Sequence, residues 1–483
     1  MEQQVLIPVD ALPRTPSLPV SFVPTPSAAY RLHRKVAALT RPGQPRQQAS
    51  PPPPGARVLM WKQDPSVTEM GTRKAFLPGV LLEGPRDARI ASGKGIAAVS
   101  PNAFGDFIVP PDTDQFDAVH TFAVVRQTLT MFQRLLAAHD AGLVPWAWNS
   151  PNNTDPLNVF PHGLPNVMNA YYSRNERALK FGDFMQQDAT GDAAGRIYTC
   201  RSFDIVAHET GHAVLDGLKP RWILSSAPPQ TGGLHESFGD LTAIFLALSQ
   251  MDQAEAVIAQ TRADLHDKTF LADMAEQFGL ALGRPNGLRN ADNDLTLSQA
   301  GTEVHAISQV FTGAVYDILA DMFAFERHPA VEDDAVVLHR TGAYLCGLLL
   351  RALIAAPDSA ATYADVANGM LRLAKADNRP ADYLDFIRNR FTVREVVVAR
   401  ADGNTMALEA AVVDAPDAVQ DRRACCGTMN HAEYCDLADA ALEEERQALA
   451  RWCHGYAAGR AVAEPASSEE LAAADYGAGR ASA

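Results

Sequence analysis

The stretch Asp204 to Asp216, DIVAHETGHAVLD, sets His208 and His212 four residues apart, with Glu209 directly after the first of them. On a helix that spacing is little more than one turn, so both imidazoles leave one face and can grip a single divalent cation. Glu209 then lies where a carboxylate can take a proton from a water activated by that cation. Ile205, Val206, Ala207, Ala213, Val214 and Leu215 flank these polar residues and predict a buried helix. Gly211 sits between the histidines, where glycine costs about 1 kcal/mol relative to alanine. Its presence implies close packing or access to a cleft at that turn.

A third ligand follows in GGLHESFGDLTAIFLAL. The connection contains Pro228, Pro229, Gly232 and Gly233, which predicts a loop folding back into a second helix. That helix offers Glu236 as the third ligand and, one turn on, Asp240 as the acceptor that orients His208 through its outer N–H. Three protein ligands leave one position for water, which distinguishes a catalytic zinc site from a closed structural one.

With these residues in place, the chain resembles the thermolysin-type metallopeptidases, zincins whose third ligand is glutamate. The resemblance covers about residues 105 to 395 and is specific from Asn169 to Ser308. Asn169-Ala170-Tyr171-Tyr172, followed by Phe181-Gly182-Asp183, is similar to the family's edge-strand motif, which implies that Asn169 and Ala170 hold substrate backbone. Asp204 and Asp216 flank the histidines at the family's positions and are expected to support the site. Val304-His305 with Ser308 looks like the family's later catalytic histidine segment, which makes His305 the donor to a developing oxyanion. Arg289, in GLRN, resembles the arginine placed near the substrate carbonyl.

The sequence also departs from the family pattern. His235 stands where the family has asparagine before the third ligand, so a titratable ring replaces an amide behind the metal. Ala247 stands where calcium-binding members carry glutamate, so the double calcium site is expected to be lost. Lys219-Pro220-Arg221-Trp222 replaces the segment where a tyrosine is expected.

The resemblance implies an α+β fold: a two-domain thermolysin-like zincin, with an N-terminal β-rich part that includes the zinc helix and a mainly α-helical C-terminal domain. The implied function is a zinc-dependent endopeptidase with one catalytic Zn²⁺ and peptide or protein substrates. Two other readings stay open here: a catalytically inert zinc-binding interaction protein, and an aminopeptidase of the same group. The intact Glu209 argues against the first. The second needs acidic residues to capture a free substrate amine, and no dedicated cluster stands out.

The 483 residues are 47% hydrophobic, enough to bury the cores of two or three domains. A net charge of -15 argues against a phosphate-backbone partner. Six cysteines in so long a chain are not a disulfide scaffold. Cys200 and Cys346 are expected as small buried hydrophobes, whereas Cys425, Cys426, Cys435 and Cys453 cluster with His431 and His454 as a second zinc site or a local disulfide. The N-terminal residues lack a signal-peptide pattern, which predicts a cytoplasmic protein or one exported by a non-standard route. No bilayer span is expected: the run Ala343 to Ala356 is broken by Arg351 and reads as a buried helix. A monomer is expected.

The elements that must position these residues divide the chain into a Pro-rich flexible arm (1–57), an N-terminal α/β domain with the zinc helix (58–217), a helical catalytic domain (218–420), and a Cys/His-containing extension with a disordered tail (421–483). Short strands are predicted in 58–112. Phe122, Val125, Leu129, Phe132 and Leu136 recur at helical spacing through 118–138, with His120 as a core histidine. A loop is predicted over 145–168, then the strand of Asn169. Helices are predicted over 253–278, 304–325 with His305 in the first turn, 336–356, 363–376 and 381–391, and a polar loop carrying Arg289 over 283–301.

Overall fold

Alternation of buried and exposed residues makes Gly55–Trp61 a strand, β1, with Ala56, Val58 and Met60 turned inward. It pairs antiparallel with Thr72–Pro78, β2. The structure is a computed structural model, and it describes residues 55–67, 70–139, 143–187, 193–282, 287–397 and 428. The expectations for the proline-rich arm, the clustered cysteines and the C-terminal tail lie outside these residues, except that β1 begins at Gly55, inside the stretch expected to be flexible.

Helix α1, Asp114–Ala137, packs on β1. It starts earlier than periodicity predicts because Thr113 caps it, accepting a hydrogen bond from the Phe116 N–H at 3.1 Å. His120 is fully buried and accepts from the Trp61 N–H at 3.2 Å. Burial lowers its pKa to about 4, so it is a neutral core histidine.

The region 145–168 is not only loop. Leu157–Leu164 forms β4, parallel to Ile90–Ala91 (β3) and to Ala178–Gln187 (β6). Pro161 and Gly163 mask this strand in the sequence, and the ladder shifts register across them, between Phe160 and Leu164. Ala170–Ser173, β5, pairs antiparallel with β6 and ends the strand path β3-β4-β6-β5. Ala193–Tyr198, β7, pairs with β6 beyond it.

The helices follow. Phe203–Leu218 (α2) is buried almost throughout, and Pro229–Leu248 (α3) packs along it. Met251–Thr261 (α4) stops well short of the predicted end at residue 278, because Arg262 and Ala263 take left-handed backbone with φ of 52° and 67°. Asp273–Met274 (β8) and Glu276–Ala281 (α5) come next, and β8 pairs with Arg289–Asn290 (β9), a small ribbon inside the expected polar loop. Leu297–Ala300 (α6), Val304–Glu326 (α7), Asp334–Ala355 (α8), Tyr363–Ala376 (α9) and Ala381–Thr392 (α10) complete a mixed α and β fold. By length and composition α8 could cross a bilayer, but it packs against α4, α7 and α9.

Two glycines set the distance between α2 and α3. A Cβ on Gly211 would meet Thr242 Oγ1 at 2.7 Å and the Gly239 Cα at 3.2 Å, and one on Gly239 would meet the His208 ring at 2.6 Å. The helices therefore touch almost backbone to backbone at the turn that carries the histidines, which accounts for the poor helix former at 211. Gly239→Ala is expected to lower the unfolding free energy by about 1–3 kcal/mol through overpacking. Because it pushes the His208 ring, it should also weaken metal affinity by about tenfold or more. Wild-type affinity measured by competition with a chelator would show that this contact does not hold the ring.

Candidate active site

Across the α2–α3 contact, three ligand-type atoms converge. His208 Nε2 and His212 Nε2 lie 3.0 Å apart, and the two oxygens of Glu236 lie 3.5 Å from His208 Nε2 and 3.6 Å from His212 Nε2. All three residues are buried. Ligands placed tetrahedrally at about 2.0–2.2 Å from a zinc ion stand roughly 3.3–3.6 Å from one another, so the two carboxylate–imidazole separations and this donor set fit such a cation, and the two Nε2 atoms lie a few tenths of an ångström closer than that spacing.

The outer ring nitrogens are engaged. His208 Nδ1 donates to Asp240 Oδ1 at 2.9 Å, and His212 Nδ1 meets His235 Nδ1 at 2.7 Å. Once each Nδ1 proton points outward, both Nε2 lone pairs face the same point. The tautomers are assigned from these partners. Burial drives the His235 pKa down to about 3, so the ring expected to titrate stays neutral and can accept from His212. Burial also opposes a proton on His208, yet hydrogen bonds to Asp240 and Glu236 outweigh it and raise the pKa to about 10.

Other expected residues surround this core. Arg289 makes a two-pronged contact with Asp240, the carboxylate behind His208, with Nε at 3.0 Å and Nη2 at 2.6 Å. Burial would raise the Asp240 pKa, but Arg289 and then His208 hold it below the usual carboxylate range. His305, in the first turn of α7, puts Nε2 3.5 Å from Glu236 and Nδ1 2.7 Å from Glu303. Burial disfavours its charged form, but Glu236 and Glu303 prevail and lift its pKa. Glu303 also caps α7 by accepting from the Ala306 N–H at 2.7 Å. Glu303 was not anticipated, although a carboxylate just before a helix start is a visible capping signal.

Asp216 joins α2 to the sheet. It accepts from Tyr172 Oη at 2.7 Å and from Arg174 through both guanidinium arms, which fixes β5 beside α2. Asn169 lies just before β5, and its Oδ1 accepts from the Ala170 N–H at 2.8 Å. Ala247 is buried in α3.

Asp204 belongs to a different group. It is buried with Asp64 and Glu276, two residues the sequence did not single out because they come from separate stretches. Burial first, then mutual repulsion, holds Asp204 and Glu276 well above ordinary carboxylate values. Asp204 also lines a small open recess beside His208 and Glu209, together with Ile205, Met274 and Leu288. Two other groups of metal-ligand type occur among the described residues, Asp117/His162/Cys200 and His266/Asp292/Asp317. In each an arginine already holds the aspartate: Arg201 on Asp117 and Arg394 on Asp317. Cys200 and Cys346 are buried free thiols.

No protein-family model matches the chain, and no curated protein matches it by sequence. Among solved structures, the precursor of protealysin, a metalloproteinase from Serratia proteamaculans, is similar over 66% of this chain and 88% of that chain, with 16% sequence identity and a TM-score of 0.43. Likeness that distant says nothing about chemistry, which rests on the side chains described above.

The raised acids have a direct consequence for stability. A carboxyl whose folded pKa exceeds its unfolded value stays protonated in the fold after the unfolded chain has ionised, so stability falls as pH rises from about 4 toward the folded pKa. Glu276→Gln should therefore raise Tm at pH 8 by about 2 °C or more relative to wild type, with the gain vanishing near pH 4. A gain of equal size at both pH values would show that ionisation of Glu276 is not its cause.

Proposed function

We propose that the protein is a zinc-dependent endopeptidase built as a thermolysin-like two-domain zincin. The observation that carries this reading is the meeting of His208, His212 and Glu236 at tetrahedral spacing, with Glu209 between the histidines and a sheet edge tied alongside. Zn²⁺ held by His208, His212 and Glu236 would polarise a scissile carbonyl and lower the pKa of water from about 16 toward 7.

The chain's own residues supply the rest. Glu209 takes the proton of the attacking water and delivers it to the leaving amine. His305, its Nδ1 anchored on Glu303 and its pKa raised, holds a proton at Nε2 for the carbonyl oxygen as negative charge develops there. Asp240 fixes the His208 ring and His235 fixes the His212 ring. Arg289 steadies Asp240 through Nε and Nη2. The outer edge of β5, which begins at Ala170 just after Asn169, accepts an extended peptide as an added strand. Asp216 keeps that edge in register with the zinc helix.

Glu209→Gln is expected to retain zinc and to lower kcat on an unstructured protein substrate by at least about 100-fold. Equal turnover in the two proteins would remove Glu209 from the base role. His305→Phe is expected to lower kcat by about 100-fold with KM little changed and zinc still bound. Metal loss in that variant, read by atomic absorption, would instead make His305 a ligand.

A further inference from the structure

The edge of β5 and the base on α2 are already bridged by a residue from far along the chain. Thr428 Oγ1 donates to Glu209 Oε2 at 2.7 Å, although the two residues are 219 positions apart. The same oxygen accepts from the Tyr172 N–H at 2.8 Å. Thr428 is 1% exposed, and Tyr172 is buried too.

The register shows what the second bond means. In an antiparallel pair, residues bonded to the partner strand alternate with residues whose N–H and C=O point away. Asn169 accepts from the Gly182 N–H at 2.9 Å, which makes 169/182 a bonded pair, and Tyr171 opposite Lys180 is the next. The amides of Ala170 and Tyr172 therefore point to the edge where an added strand would bind. The Ala170 N–H is taken by the Asn169 side chain, and the Tyr172 N–H is taken by Thr428. Thr428 thus uses a donor of the binding edge and an oxygen of the proton acceptor with one hydroxyl.

We propose that the full chain is self-inhibited: its own Thr428 occupies the substrate groove, its hydroxyl joining the β5 edge to Glu209, and substrate enters only when Thr428 is displaced. This rests on the reading of Glu209 as the base and β5 as the substrate edge. The apparent affinity of any groove ligand is then scaled down by the fraction of molecules in which Thr428 is out.

The test uses zinc-loaded full-length protein, a short peptide hydroxamate titrated by calorimetry, and a quenched fluorescent peptide for turnover. Thr428→Val keeps the shape and removes both hydrogen bonds, whereas Thr428→Ser keeps the hydroxyl. The valine variant is expected to bind the hydroxamate about tenfold more tightly or better and to show a matching rise in kcat/KM, because one of the lost bonds involves a carboxylate. The serine variant should match wild type. Thr428→Ala serves as the second variant should valine impair folding. No gain in hydroxamate affinity for either hydroxyl-free variant, or an equal gain with serine, overturns the proposal whether or not peptide is cleaved. A gain in affinity with no cleavage by any of the proteins upholds self-inhibition and removes the peptidase reading instead.

Discussion

Contact without side chains between two helices is the constraint on which the site depends. Gly211 and Gly239 let α2 and α3 meet almost backbone to backbone, with the His208 ring against the Gly239 Cα. At ordinary helix separation, Glu236 and Asp240 would stand off from the imidazoles by the thickness of intervening side chains. Close approach instead places a carboxylate on each side of His208, one inward and one outward. The helix propensity lost at Gly211 is a small term beside the geometry it permits.

Close approach also concentrates buried charge, and the fold treats its acids in two ways. Around the ligands, Asp240 is held ionised by Arg289 and His208, and Glu236 is held ionised by His305, His212 and His208. A short distance away, Asp64, Asp204 and Glu276 are pushed toward the neutral form. Buried carboxyl groups thus differ in protonation: one set faces cations that offset burial, whereas burial dominates the other, with repulsion between carboxyls added at Asp204 and Glu276.

Features set by local spacing were legible in the sequence: the histidine pair on one helix face, the fold-back that brings Glu236 and Asp240 to it, the edge strand at Tyr171 and Tyr172, and His305 in a first turn. Features set by tertiary approach were not. Strand β4 was hidden by Pro161 and Gly163. Two residues in left-handed backbone ended α4 early. The contact of Arg289 with Asp240, a residue 49 positions away, had no local signal. The trio of Asp64, Asp204 and Glu276, and the hydroxyl of Thr428, join stretches too distant for any periodicity to link.

The loop leaving the zinc helix carries a last consequence. Lys219 Nζ donates to the Ala356 carbonyl at 2.7 Å and to Asp358 at 2.8 Å, and Trp222 Nε1 donates to the Pro357 carbonyl at 3.0 Å. A cation and an indole at the exit of α2 are thus fastened to the turn that follows α8. Dividing the gene near codon 218 would part His208 and His212 from Glu236, while Lys219 and Trp222 would stay with the turn they bind. New chain termini from circular permutation would have to be placed away from this joint, because a cut there would release the exit of α2 from that turn.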